Sequence, residues 1–137
     1  MEQRLFLLAG KIEIQTRTLS LLNNSRISTE TFDEAIDAEA AGVINIDAQE
    51  FISANDGSSI TSTTKGQRNA SNIIINTPEL TVQNLASISA VGSLTNAGIT
   101  TEGDAGSIVI NGANQVTLSN GSITSETITL GRVGNIT

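Results

Sequence analysis

The chain has 137 residues, room for about one domain, and carries 14 acidic against 7 basic side chains for a formal net charge of −7. That charge, with Arg17, Arg26, Lys65, Arg68 and Arg132 scattered, excludes a nucleic-acid binder, which needs clustered cations. The lack of cysteine excludes a disulfide framework and thiolate metal sites, and the lack of histidine removes the commonest general base, while three Phe with no Trp or Tyr leave the core to Ile, Leu, Val and Ala.

The chain opens on MEQRLFLLAG, where the apolar run Leu5–Ala9 falls short of the ~7–15 residues of a signal-peptide core, so any export signal is expected outside this chain. No segment approaches the ~20 apolar residues of a membrane-spanning helix. Residues 1–8 are read as an N-terminal segment that partly caps the first repeat.

From Ala9 onward the text repeats every thirty residues or so. The copies are AGKIEIQTRTLSLLNNSRISTET from Ala9, AGVINIDAQEFISANDGSSITSTT from Ala41, ASNIIINTPELTVQNLASISA from Ala70 and AGSIVINGANQVTLSNGSITSET from Ala105. A fifth begins at Val133 as VGNIT. Each copy opens with a small residue and an I-x-I pair: Ile12/Ile14, Ile44/Ile46, Ile73/Ile75 and Ile108/Ile110. Five or six residues on comes a second alternating pair, Leu19/Leu21, Phe51/Ser53, Leu80/Val82 and Val116/Leu118. A turn at Asn24, Asp56–Gly57, Asn84 or Asn120–Gly121 leads to a third element led by Ile27, Ile60, Ile88 and Ile123.

Alternation with period two and β-branched residues reads as strand, and no copy holds an amphipathic helix. Three short strands per repeat, stacked in tandem, predict an all-β fold: a right-handed parallel β-helix (a solenoid) of about four rungs over residues 9–137. In that register the outward columns run Glu13, Asn45, Ile74, Val109 and Gln15, Asp47, Asn76, Asn111 on the first strand. On the second they are Ser20, Ile52, Thr81, Thr117 and Leu22, Ala54, Gln83, Ser119. On the third they are Ser28, Thr61, Ser89, Thr124 and Glu30, Thr63, Val91, Glu126.

Sugar-cleaving or metal-dependent chemistry would need carboxylates to meet across neighbouring strands. Glu30 and Glu126 share a column three rungs apart, and Glu13 and Asp47 are neighbours in different columns. The acidic loop TFDEAIDAEA (31–40) holds Asp33, Glu34, Asp37 and Glu39 without the spacing of an EF-hand, and reads as a solubilising corner loop. A longer excursion, AVGSLTNAGITTEGD (90–104), leaves the same corner. Thr61/Thr63 matches a Thr-x-Thr ice-binding pattern, but the other repeats do not continue it. Asn72, Asn76 and Asn111 are placed to form amide ladders that pin the register. No catalytic, cofactor-binding or metal-ligating residue is assigned, and no cofactor is expected.

The pieces AGKIEIQTRTLSLLNNSRISTET, TPELTVQNLASISA and AGSIVINGANQVTLSNGSITSET resemble the repeats of bacterial filamentous haemagglutinin-like large exoproteins, adhesins of the two-partner secretion class, over about residues 9 to 137. The resemblance implies a shaft of right-handed parallel β-helix, secreted or displayed at the cell surface. It also implies adhesion to glycans or proteins of a host or neighbouring cell. No counterpart of that family's N-terminal secretion domain is found, and the text stops inside a repeat at Thr137, so the chain reads as a piece of a larger exoprotein or a non-functional gene fragment. The expectation is a non-enzymatic structural or adhesive segment that presents polar faces and the loops 31–40 and 90–104. A carbohydrate-active β-helix fragment, lyase- or hydrolase-like, is the alternative. Open strand edges at the two ends predict end-to-end self-association.

Overall fold

The computed structural model describes residues 11–32, 43–65, 69–93, 104–128 and 131–137. The cap assigned to residues 1–8, the repeat starts at Ala9 and Ala41, the four carboxylates of the acidic loop and most of the 90–104 excursion lie outside these residues.

Among the described residues the chain is all-β, with ten strands and no helix. In order they are β1 (Ile12–Leu21), β2 (Arg26–Phe32), β3 (Val43–Ala54), β4 (Ser59–Lys65), β5 (Asn72–Asn76), β6 (Glu79–Gln83), β7 (Ser87–Ser93), β8 (Ile108–Asn111), β9 (Gln115–Ser119) and β10 (Ser122–Thr127). Strands pair in parallel with their counterparts one repeat away, in two sheets. The six-stranded sheet is organised on β3, which carries β1 along one edge and both β5 and β6 along the other; β8 then adds to β5 and β9 to β6. The four-stranded sheet runs β10-β7-β4-β2.

The expected three strands per repeat are found in the third and fourth copies. In the first two copies the first and second strands are continuous, as β1 and β3. The chemistry of the join explains the difference. Pro78, with no N–H and a fixed φ, separates β5 from β6, and Gly112 at φ +70° separates β8 from β9. Thr16–Thr18 and Ala48–Glu50 contain neither residue, and the strand bends there through a bulge in which Arg17 faces both Gln49 and Glu50.

That bulge corrects the register expected for the second copy. The spacing of the repeats places Phe51 and Ser53 inward and Ile52 and Ala54 outward. The structure instead pairs Leu19 with Ile52 and Leu21 with Ala54, and Ile52 and Ala54 are fully buried while Phe51 and Ser53 are half-exposed. One extra residue reverses every side chain beyond it, because alternate side chains point to opposite faces. All other columns pair as expected. Ile12–Ile44–Ile73–Ile108 and Ile14–Ile46–Ile75–Ile110 line the first wall, Leu19–Ile52–Leu80–Val116 and Leu21–Ala54–Val82–Leu118 the second, and Ile27–Ile60–Ile88–Ile123 the third. Their middle members have no exposed surface, so each full-sized Ile or Leu contributes about 1.5–3 kcal/mol on leaving water.

The inner face of the four-stranded sheet is partly polar. Beside Ile60 it buries Ser58, Ser62 and Thr64, and none of these hydroxyls has a hydrogen-bond partner. Ser62 shares its column with Thr29, Ala90 and Ser125, so the wall accepts a methyl in the same place one repeat later.

Tight turns join the second wall to the third. Ser25, Ser58 and Ala86 donate to Leu22, Asn55 and Gln83 at 3.1–3.2 Å. The central pairs Asn23–Asn24, Asp56–Gly57 and Asn84–Leu85 all have positive φ, the signature of a type I′ turn. The turns stack through Asn24 N to Asp56 O and Gly57 N to Asn84 O, both 2.9 Å. At Gly57 a Cβ would run into Asn24 Oδ1, whereas the equivalent Leu85, at φ +66° and 74 % exposed, holds a conformation costing an L-residue about 1–2 kcal/mol.

Two stability measurements by urea unfolding check this packing. Ile52→Ala is expected to cost about 2–5 kcal/mol and Phe51→Ala less than half as much; the reverse order would restore the other register. Ser62→Ala is expected to raise stability by about 1 kcal/mol, because it removes a buried, unpartnered hydroxyl.

Candidate functional site

The outward columns hold the candidate chemistry, and the strand register decides which side chains meet. Gln15, Asp47, Asn76 and Asn111 lie in one column, as expected. Within it Asn111 Nδ2 donates to Asn76 Oδ1 at 2.9 Å, and Asn76 Nδ2 reaches diagonally to Asn45 Oδ1 at 3.4 Å. Asn72 does not join this ladder: its Oδ1 accepts from the backbone N–H of Ser107 at 2.8 Å.

The acidic side chains are drawn to cations rather than to one another. Glu13 pairs with Lys11 on its own strand at 2.7 Å, which separates it from Asp47 in the next column. Glu50 pairs with Arg17 at 2.6 Å across the bulge. Glu30 and Glu126 share a column with Thr63 and Val91 between them. Among the described residues no three acids gather into a metal-binding group. Ser28, Thr61, Ser89 and Thr124 form a column of hydroxyls on the outer face of the four-stranded sheet.

The best-formed concavity is a groove of about 340 Å³ at the corner where each repeat opens. Asn69, Asn72, Asp104, Ser107, Arg132 and Asn135 line it. Two stacked sets of bonds build this corner. In one, Asn69 Oδ1 accepts from Asp104 N at 2.9 Å and Asp104 Oδ1 accepts from Arg132 N at 2.7 Å. In the other, Asn72 Oδ1 accepts from Ser107 N, and Ser107 Oγ accepts from Asn135 N at 3.1 Å. Each side chain thus satisfies the backbone of the next repeat. The glycine that follows the opening residue of the fourth repeat permits this approach: a Cβ on Gly106 would overlap the Ser71 carbonyl oxygen.

The groove is not evident from the sequence because its members look unrelated in type. Their signal is position. Asn69, Asp104 and Arg132 each stand immediately before the opening residue of a repeat, and Asn72, Ser107 and Asn135 stand two after it. Chemically the groove presents amides, a hydroxyl, one carboxylate and one guanidinium, a set suited to hydrogen-bonding a polar ligand. General acid–base cleavage of a glycoside calls for two carboxyl groups roughly 5–10 Å apart, and Asp104 is the one carboxylate in its lining. A second open groove, about 510 Å³, lies along the bulge between Gln15–Arg17 and Asp47–Gln49. No helix among the described residues is long and apolar enough to cross a membrane. Comparison of the chain with protein-family models, with curated proteins and with solved structures gives no match.

Asn76 is the node of the amide ladder, with one side-chain bond on each side. Asn76→Ala is expected to lower stability by about 1–2 kcal/mol and to shift the urea midpoint without changing the slope of the transition.

Proposed function

We propose that this chain is a right-handed parallel β-helix, a solenoid of stacked rungs, serving as a passive structural and adhesive segment of a secreted or cell-surface exoprotein of the filamentous haemagglutinin-like kind. The observation that carries this reading is the set of five inward aliphatic columns, continuous through four repeats, beneath outward columns that are mostly polar but include Ile74, Val109 and Val91. Right-handed winding follows from the general hand of connections between parallel strands. Each unit then contacts only its neighbours, so the stack behaves as a rod whose length is set by the number of repeats.

On this reading the rod does no chemistry. It holds surfaces and loops at fixed spacing before a partner, a glycan or protein of a host or neighbouring cell. The polar corner groove and the uneven loops 31–40 and 90–104 supply the variation that a ladder of equivalent rungs lacks. Asn, Ser and Asp side chains with a single guanidinium fit a polyhydroxylated ligand better than an apolar one.

The test is binding of the purified chain to immobilised glycans and to intact cells, alongside a variant with residues 33–40 replaced by a Gly-Ser linker. The expected result is saturable binding, weakened about tenfold, or 1.4 kcal/mol, in the variant with no change in melting temperature. Release of reducing or unsaturated sugar ends from a polysaccharide, with or without calcium, would replace this reading with the carbohydrate-active one. Absence of the protein from both the cell surface and the medium of the producing cell would remove the display role.

A further inference from the structure

At the corner groove the backbone decides how each polar side chain is turned. Asn72 Oδ1 accepts from Ser107 N at 2.8 Å, and Asn69 Oδ1 accepts from Asp104 N at 2.9 Å. A backbone N–H can only donate, so neither amide can be reversed, and each leaves its NH2 group to the groove that it lines. Ser107 is placed alike: its Oγ accepts from Asn135 N at 3.1 Å, and the hydroxyl hydrogen is left over. Asp104 Oδ1 accepts from Arg132 N at 2.7 Å. Each of these four side chains already has the following repeat beside it, which is what fixes its orientation.

The stack therefore takes up acceptors and leaves donors. Among the described residues the Nδ2 groups of Asn69 and Asn72, the Ser107 hydroxyl hydrogen and the Arg132 guanidinium have no protein acceptor. Against them, the four oriented side chains keep one acceptor, the second oxygen of Asp104. A ligand matched to such a lining brings acceptors. A carboxylate brings two oxygens in one plane, with lone pairs for two amide N–H groups or for both arms of a guanidinium. The net charge of −7 disfavours a polyanion. Within the groove one guanidinium stands beside one carboxylate, and physiological salt screens charges farther than about 8 Å away.

We propose, resting on the adhesive reading above, that the groove binds the carboxylate of an acidic sugar carried singly on an otherwise neutral glycan. Asn69, Asn72, Ser107 and Arg132 supply the donors. Asp104 acts in two directions: its Oδ1 holds the corner together, and its charge weakens binding.

NMR titration of the nitrogen-labelled chain with methyl β-glucuronide and with methyl β-glucoside tests this, because the probes differ only by a carboxylate in place of a hydroxymethyl group. The glucuronide is expected to shift the side-chain NH2 signals of Asn69 and Asn72 saturably, and to bind about tenfold more tightly than the glucoside or acetate. Near-isosteric variants separate recognition from structure. Asn72→Asp keeps an oxygen for Ser107 N and loses only the NH2 group; it is expected to weaken glucuronide binding about tenfold with no fall in melting temperature. Arg132→Gln keeps its backbone bond to Asp104 and is expected to weaken binding to a similar degree. Asp104→Asn keeps an oxygen for Arg132 N and removes the charge, and is expected to tighten binding about threefold or more. Weaker binding by Asp104→Asn, or unchanged binding by Asn72→Asp, would overturn the proposal. Equal binding of glucuronide and glucoside would overturn the carboxylate and leave glycan adhesion standing. Acetate as tight as the glucuronide would overturn the sugar. Failure of both sugar probes would overturn the groove as the site, and capture of the chain by immobilised glycans would then decide the adhesive reading separately.

Discussion

Parity along the strand is the constraint on which the rest depends. Parallel pairing in register places Ile on Ile through Ile12, Ile44, Ile73 and Ile108, and again two residues on. An odd shift anywhere in a repeat would send the following aliphatics into water and the polar residues inward. The repeats vary in the spacing from the second Ile to the next inward residue: five from Ile14 to Leu19 and from Ile75 to Leu80, six from Ile46 to Ile52 and from Ile110 to Val116. The variation is absorbed at the bend between the walls, by the Arg17 bulge, Pro78 or Gly112, where no inward column has to be kept. The columns stay straight because the irregularity is confined to a place with no column.

The corners meet a second constraint, the need of every backbone group for a partner. One corner solves it with left-handed turns whose N–H groups reach the carbonyls of the next turn. The other uses side chains as acceptors, Asn69 and Asp104 in one line and Asn72 and Ser107 in another. These residues hold the repeats together and at the same time line the polar groove at that corner. The third wall is less well satisfied. Ser58, Ser62 and Thr64 are buried with hydroxyls lacking a partner, on a face that elsewhere accommodates Ala86, Ala90 and Gly92. The unpartnered hydroxyls are the cost of building that wall from Ser and Thr.

These features bear on the proposed role as a displayed rod. In a stack whose junctions are chemically equivalent, a face varies only where a column changes residue type or a loop changes length. The outward hydroxyl column Ser28–Thr61–Ser89–Thr124 is nearly uniform, while its neighbour passes from Glu30 through Thr63 and Val91 to Glu126. On the proposed reading, specific recognition belongs to the corners.

The strands, their parallel partners and most inward residues were legible from the sequence, because I-x-I and its companions recur at matching positions and alternate with polar residues. The second copy shows the limit of that reading. Phe51/Ser53 and Ile52/Ala54 both alternate, and spacing by five favoured the first, though Ile52/Ala54 is the pair in which both members are apolar. The corner groove was not legible, since Asn69, Asp104 and Arg132 share a position and no chemistry, and the fusion of two strands into β1 and into β3 followed from the absence of a breaker at the bend. The sequence by itself determined the period, the parity within each strand and the aliphatic composition of the core, all of which are local and repeated. Only the tertiary structure decided where one extra residue is taken up and which side chains cap the next repeat, because both are settled between neighbouring repeats, by a partner strand some thirty residues away.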